Sequence, residues 1–194
     1  MATEDTRSRI QVVALELFTE HGYDGTSLRE ISERLGVTKA ALYYHFKSKE
    51  EILLSLFTDV QEKIGRLIEW AREQNDFSLE FRKDLLARLA DLVYGDSRRV
   101  MRLLQENQPV LRSLKSEEHS REHAHQHGPG QWVVDMTELL TPPDASLRTR
   151  MRARMAFVSL VFGSFAPGMF VEQDASADEL KTVGLELAEE LLES

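Results

Sequence analysis

The chain is 194 residues long, 42% hydrophobic and 29% charged, a balance that excludes a disordered segment and suffices for one large domain or two small ones. Its 33 acidic residues outnumber 24 basic ones for a formal net charge of −9, and the absence of cysteine excludes disulfides, thiolate catalysis and cysteine-ligated zinc. The longest apolar run, Met155 to Gly163, is broken by Ser159 and falls short of the roughly 18 residues of a membrane helix. Glu4 and Asp5 precede Arg7 and Arg9, which is wrong for a secretion signal, so a cytoplasmic protein with no membrane partner is expected.

Hydrophobic periodicity is helical along nearly the whole chain. Ile10, Val13, Ala14, Leu17 and Phe18 form one stripe, Gly22 stands where a C-terminal cap belongs, and Asp24-Gly25 reads as a turn. Ser27 and Glu30 have capping-box spacing at the start of a short helix that buries Leu28, Ile31 and Leu35 and stops at Gly36. Thr38 can cap the next helix, whose Ala41, Leu42 and Phe46 point inward. Ser48 and Glu51 repeat the capping box and open a long helix with Leu53, Leu56, Phe57, Val60, Ile64, Leu67 and Ile68 on its apolar side.

Phe81, Leu85, Leu89, Leu92 and Val93 mark a helix ending near Gly95-Asp96, and Val100, Leu103 and Leu104 start another that Pro109 terminates or kinks. Lys115 to Gly130 is almost free of apolar residues and reads as a loop or a solvated helical extension. Trp132, Val133, Met136, Leu139 and Leu140 resume the period until Pro142-Pro143. Two last helices, roughly Ser146 to Phe170 and Ala177 to Leu192, are separated at Asp174-Ala175-Ser176. With no sustained period-two alternation, the expected fold is all-α with about nine helices: an N-terminal three-helix helix-turn-helix module over 1–50 and a C-terminal helical bundle over 51–194.

Charge singles out part of the first module. Between Thr26 and Lys49, Arg29, Arg34, Lys39, Lys47 and Lys49 face only Glu30 and Glu33, a local +3 that leaves the other 170 residues at −12. A basic island in an acidic chain points to a local anionic partner. The turn at Leu35-Gly36-Val37 between two short helices fits a helix-turn-helix, and equally an αα corner inside an ordinary bundle. Three features favour the former: the free face of the second helix carries Thr38, Lys39, Tyr43, Tyr44 and His45, basic residues flank it, and it and the following helix begin with Ser or Thr caps able to meet phosphate.

Gly25-Thr26-Ser27-Leu28-Arg29-Glu30-Ile31-Ser32, and then Leu35-Gly36-Val37-Thr38-Lys39-Ala40-Ala41-Leu42-Tyr43-Tyr44-His45-Phe46-Lys47-Ser48-Lys49-Glu50, resemble the DNA-binding signature of the TetR family of bacterial transcriptional regulators. The resemblance covers about the first 55 residues; the rest is similar only in length, helix content and placement. It implies a homodimer whose second short helix enters the major groove of operator DNA, with a C-terminal domain that responds to a small, largely apolar effector. It further implies that Ser27 and Thr26 meet a phosphate, that Thr38, Lys39 and Ala40 open the recognition helix, that Tyr43, Tyr44 and His45 approach the backbone, and that Lys49 sits by a phosphate. Lys39 is the candidate base reader, since a lysine can donate to guanine O6 and N7.

Met151 to Phe170 is apolar on more than one face and so must be buried on two sides, the second by a partner subunit or by the core of a monomer. Met155, Val158, Phe162 and Phe165, with Leu180, Val183, Leu187 and Leu191 of the last helix, are the candidate dimer interface. Leu67, Trp70, Phe81, Leu85, Met101, Leu104, Trp132, Met136, Phe157 and Val161 are candidate walls of an effector pocket, each equally readable as plain core, and no buried cation or acid stands out to mark the effector's polar end.

His119, His123, His125 and His127 fall within nine residues, and His119, His123 and His127 share a face if that stretch is helical, beside Glu118 and Glu122. Such spacing can hold zinc, nickel or copper, which leaves a metal-responsive regulator as the alternative, against a solvated connector around Gly128-Pro129-Gly130. An enzyme is not expected: no Ser/His/Asp set, Gly-rich phosphate loop or HExxH pattern occurs, no cofactor is implied, and only a metal-dependent hydrolase built on the histidines survives as a remote reading. A bundle serving as a protein-interaction scaffold is the third class.

Overall fold

The computed structural model describes residues 2–107, 131–165 and 175–193; the sequence readings at Pro109, at the histidine cluster and over 166–174 lie outside them. The described residues form nine helices and no strand: α1 (Ala2–His21), α2 (Leu28–Leu35), α3 (Lys39–His45), α4 (Lys49–Gln74), α5 (Leu79–Tyr94), α6 (Asp96–Glu106), α7 (Gln131–Leu139), α8 (Leu147–Phe165) and α9 (Ala177–Glu193). The fold is all-α. The described residues fall into two compact units, 2–60 with 99–107, and 61–98 with 131–165 and 175–193.

In the first unit the α1 stripe of Ile10, Ala14, Leu17 and Phe18 is buried, and α1 packs on α2, which packs on α3. Gly22 (φ 78°) ends α1 and Gly36 (φ 71°) ends α2, both in the left-handed region. At Gly36 the space is open, so backbone conformation alone asks for glycine there. Its amide donates to Glu33 O and the Val37 amide to Ser32 O, which satisfies the last carbonyls of α2 and turns the chain toward α3. The second capping box forms with a shift: Ser48 Oγ accepts from the Glu51 amide at 3.2 Å, while the Glu51 carboxylate reaches past Ser48 to the Lys47 amide at 2.6 Å. Gln11, buried on α1, donates to Ser55 Oγ at 3.0 Å and to Asp59 Oδ2 at 2.7 Å, so α1 is tied to the first turns of α4 by hydrogen bonds as well as by packing.

In the second unit Ser78 caps α5, whose Leu85, Leu86, Leu89, Ala90 and Val93 are buried. α8 and α9 pack most extensively on each other, and α5 lies against both. The close approach is made by small residues: Ala153, Ala156 and Ala188 are fully buried, and a Cβ at Gly184 would stand 3.3 Å from Tyr94 Oη and 3.4 Å from Leu160 Cδ1. α5 and α9 run antiparallel, as Lys181 pairs with Asp91 at 2.6 Å while Lys83 pairs with Glu189 at 3.0 Å and with Glu193. These surface pairs set register more than stability. The buried link is Tyr94, whose hydroxyl donates to Leu160 O at 2.9 Å. Tyr94→Phe removes that donor and keeps the ring, so it costs about 1 kcal/mol, read as a lower urea midpoint at unchanged slope.

Candidate nucleic-acid interface

α3 has only seven residues and cannot hold its shape alone; Leu42 and Phe46, both fully buried, clamp it to the module. Thr38 caps its start by accepting from the Ala41 amide at 3.2 Å. The clamp on one side leaves Thr38, Lys39 and Ala40 exposed at the helix opening, where amide dipoles and a small side chain allow close approach by an anion. Tyr44 is 72% exposed and Tyr43 37%, so Tyr44 is presented outward while Tyr43 lies lower, with Lys39 Nζ 5.5 Å from its ring centre. His45 is half-buried and stands edge-on to Tyr44, the ring centres 5.2 Å apart.

The caps differ from one another in what they leave available. Ser27 is exposed and its capping box is complete: its Oγ accepts from the Glu30 amide at 3.2 Å and meets Glu30 Oε2 at 2.8 Å, and its own amide donates to Glu30 Oε2 at 2.7 Å. These bonds from Ser27 hold the Glu30 carboxyl below its ordinary pKa. Thr26, expected beside Ser27 at a phosphate, is 2% exposed and donates its hydroxyl inward to Leu17 O at 3.1 Å and Gly22 O at 2.9 Å, so its side chain braces the α1–α2 turn.

Lys49 is half-buried: its Nζ donates to Tyr23 O at 2.7 Å and lies 4.6 Å from the centre of the Tyr23 ring. Tyr23 is itself buried, and that burial, with Glu50 and Asp24 beside it, raises its phenol pKa far above the ordinary value.

Ion pairing sharpens the basic island. Arg29 pairs with Glu33 at 2.7 Å and Arg34 with Glu20 at 3.2 Å, whereas Lys39, Lys47 and Lys49 form no ion pair among the described residues. The unneutralised charge therefore concentrates on α3 and the turn after it. Two further cations belong to this surface: Lys47, which the sequence counted in the basic island without giving it a contact, and Arg7, which it did not single out. Lys47 donates to Tyr43 O at 2.7 Å, and Arg7 of α1 stacks 4.4 Å over the Phe46 ring and donates to His45 O at 3.4 Å. The signal for Arg7 lay in its helical spacing from Ile10 and Ala14, which puts it near the inner stripe.

Among the candidate pocket walls, Phe81, Leu85, Met136, Phe157 and Val161 are buried in the second unit, and Leu67, Trp70 and Trp132 are half-buried there. Trp70 meets Phe81 with ring centres 5.8 Å apart, and Trp132 meets Phe157 at 5.6 Å. Met101, half-buried, and Leu104, whose side chain is outside those described, are in the first unit. Of the candidate dimer residues, Met155, Val183 and Leu187 are about half exposed, Val158 and Leu191 are intermediate, and Leu180 is buried; the side chains of Phe162 and Phe165 are outside those described.

His119, His123 and His127 lie outside the described residues, and among those described no group of three or more His, Cys, Asp or Glu could hold a metal. No described helix is long and apolar enough to cross a membrane. Arg82, absent from the sequence candidates, is buried on α5. The two outer lysines should separate in a stability test. Lys49→Ala removes a part-buried hydrogen bond and a ring contact and costs about 1–2 kcal/mol, while Lys39→Ala stays within about 0.5 kcal/mol, both measured by urea unfolding followed by circular dichroism.

Residues 10–56 match the family model described as bacterial regulatory proteins, tetR family. The transcriptional regulator AcrR of Shigella flexneri is 34% identical over 104 residues, 53% of this chain and 47% of that protein. The negative transcriptional regulator IcaR of the biofilm operon icaADBC in Staphylococcus epidermidis is 56% identical over 39 residues, 20% of this chain and 21% of that protein. The chain thus spans about half or less of the length of these curated relatives. A transcriptional regulator from Aquifex aeolicus has a similar fold, with a TM-score of 0.65 at 23% identity over 93% of this chain and 96% of that one. Residues 10–56 of this chain thus match the helix-turn-helix region of the tetR family of bacterial regulatory proteins, and the all-α fold that carries it is similar to that of a solved transcriptional regulator.

Proposed function

We propose that this protein is a ligand-responsive transcriptional regulator acting as a repressor: a homodimer that binds a pseudo-palindromic operator through residues 1–50 and is released when a small, largely apolar effector fills the bundle of residues 51–194. The observation that carries the reading is the concentration of lysines with no ion pair among the described residues, Lys39, Lys47 and Lys49, around a short helix whose opening residues Thr38, Lys39 and Ala40 are exposed, in a chain otherwise strongly acidic. Repression is favoured over activation by the likeness of the DNA-binding segment to a negative regulator. The reaction chemistry of an enzyme and a resident cofactor have no part in this reading.

Phosphate contacts set the register of such a module, and base contacts set its sequence choice. Ser27, Tyr43, Tyr44, His45, Lys47 and Lys49 are assigned to the backbone, Lys39 and Ala40 to base edges. A single seven-residue helix reads only a few base pairs, so discrimination needs two copies about 34 Å, one helical turn, apart on one face of the duplex. Met155, Val183 and Leu187, apolar and half exposed on adjacent helices, supply the self-complementary patch. The effector acts by binding the released arrangement of the dimer better than the operator-bound one, since equal affinity for both shifts nothing.

Gel shifts on the chain's own upstream region test the DNA assignment. Lys39→Ala is expected to lose most of the preference for operator over bulk DNA, whereas Lys47→Ala weakens both alike and makes the salt dependence shallower by about one unit of slope. Equal losses for the two variants would show that Lys39 reads no base. Leu187→Glu places a charge in the proposed subunit contact; sedimentation should report a monomer, and operator affinity should fall with it, while DNA binding by a monomer at full strength refutes the two-fold arrangement.

A further inference from the structure

Arg82 lies in the first turn of α5, yet only 9% of it is exposed, and its face of the helix continues through Leu86 and Leu89, both fully buried. Its buried Nε has no hydrogen-bond partner, and among the described residues no carboxylate pairs with it. Of the acids close to it in sequence, Glu80 is exposed, and Asp76 and Asp84 are committed elsewhere. Asp76 accepts from the Ser78 amide at 2.8 Å and meets Ser78 Oγ at 2.9 Å. Asp84 pairs with Arg88 at 3.0 Å, and Glu189 and Glu193 pair with Lys83. Lys83 and Arg88 have thus taken these carboxylates, and among the described residues Arg82 pairs with none. Burial holds the Arg82 guanidinium below the ordinary arginine pKa, but an arginine stays protonated, so the charge is present and partly desolvated, most completely at Nε.

An unpaired buried cation is costly, and an apolar residue of similar length fills the same volume without that cost. A helix side chain also leans toward the N-terminal turn, which directs the Arg82 head toward the Ser78 end of α5. Its planar fork of five donors matches a carboxylate or phosphate and can bind it in bidentate fashion. The Trp70–Phe81 ring pair begins at the adjacent residue of the same turn and supplies apolar surface close by.

We propose that Arg82 receives the anionic group of the effector, which is therefore an amphiphilic anion, with an apolar body ending in a carboxylate or phosphate. This deepens the effector-release reading and rests on it.

The test compares decanoate with decanol, matched in apolar body and different in charge, on the full chain and on Arg82→Met, which keeps the apolar stem. Wild-type protein should be bound by decanoate about tenfold or more tightly than by decanol, read by calorimetry or thermal shift, and Arg82→Met should erase the difference. In the absence of ligand Arg82→Met should melt at or above the wild-type temperature, because it removes a partly desolvated charge that no described carboxylate pairs. Arg82→Lys, which keeps the charge and loses the fork, should retain part of the preference. The proposal is overturned if the wild type does not prefer decanoate, if Arg82→Met retains the preference, or if it melts clearly below the wild type, as a structural arginine would. Operator binding without any ligand is a separate readout: its loss in the wild type strikes the repressor reading, whereas its presence alongside indifference to decanoate strikes Arg82 alone.

Discussion

The presentation of α3 depends on two buried side chains. A helix of seven residues makes too few internal hydrogen bonds to outweigh its nucleation cost, so its direction in space is that of Leu42 and Phe46 in the module core. Everything on the outer face follows from that clamp. Thr38, Lys39 and Ala40 are exposed at the free opening of the helix, and Tyr44 is exposed because it falls on the side away from both anchors, two residues from each. Arg7, stacked on Phe46 and bonded to His45 O, then ties the end of α3 to α1.

The same core organises the charges around it. Arg29 and Arg34, on α2, meet Glu33 and Glu20 and are largely cancelled. Lys47 and Lys49 instead direct their ammonium groups to carbonyl oxygens, Tyr43 O and Tyr23 O, which orient a cation without neutralising it. An ammonium has three donors, so each keeps capacity for a phosphate. Lys49 is therefore both a brace between α4 and the α1–α2 turn and a positive charge on the surface. The two roles are compatible because the bracing bond spends one proton of three.

Much of this was legible from the sequence alone, because it is local. Capping serines, the positive-φ glycines Gly22 and Gly36, and the period of Ile10 to Phe18 act over a few residues and carry their meaning in their spacing. What spacing did not convey was where a polar side chain spends its hydrogen bonds. Thr26 sits beside Ser27 and has the same chemistry, yet one hydroxyl donates inward to Leu17 O and the other to Glu30 on the exposed side, a difference decided by how the turn folds back on α1. Arg82 was invisible for a related reason: on a helix whose apolar stripe runs through Phe81 and Leu85, a charged neighbour reads as the start of the solvated face. Its burial emerges only in the folded bundle, where α5 lies against α8 and α9 and, among the described residues, no acid pairs with it.

Charge bookkeeping also argues for two copies on the proposed operator. Three unpaired lysines can neutralise about three phosphates per subunit, which corresponds to a salt slope of about −2.7, the range of weak and indiscriminate association. The rest of the chain, at −12, repels the duplex and lowers that affinity further. One subunit is therefore a poor binder of any DNA, which is useful in a regulator that must ignore most of a genome. Joining two subunits makes the second contact intramolecular, and only a site with both half-sites at the right spacing collects both. In the proposed dimer, acidity outside the basic island and association through α8 and α9 would act as one device: the first suppresses binding by either half, and the second restores it where the sequence is repeated with two-fold symmetry.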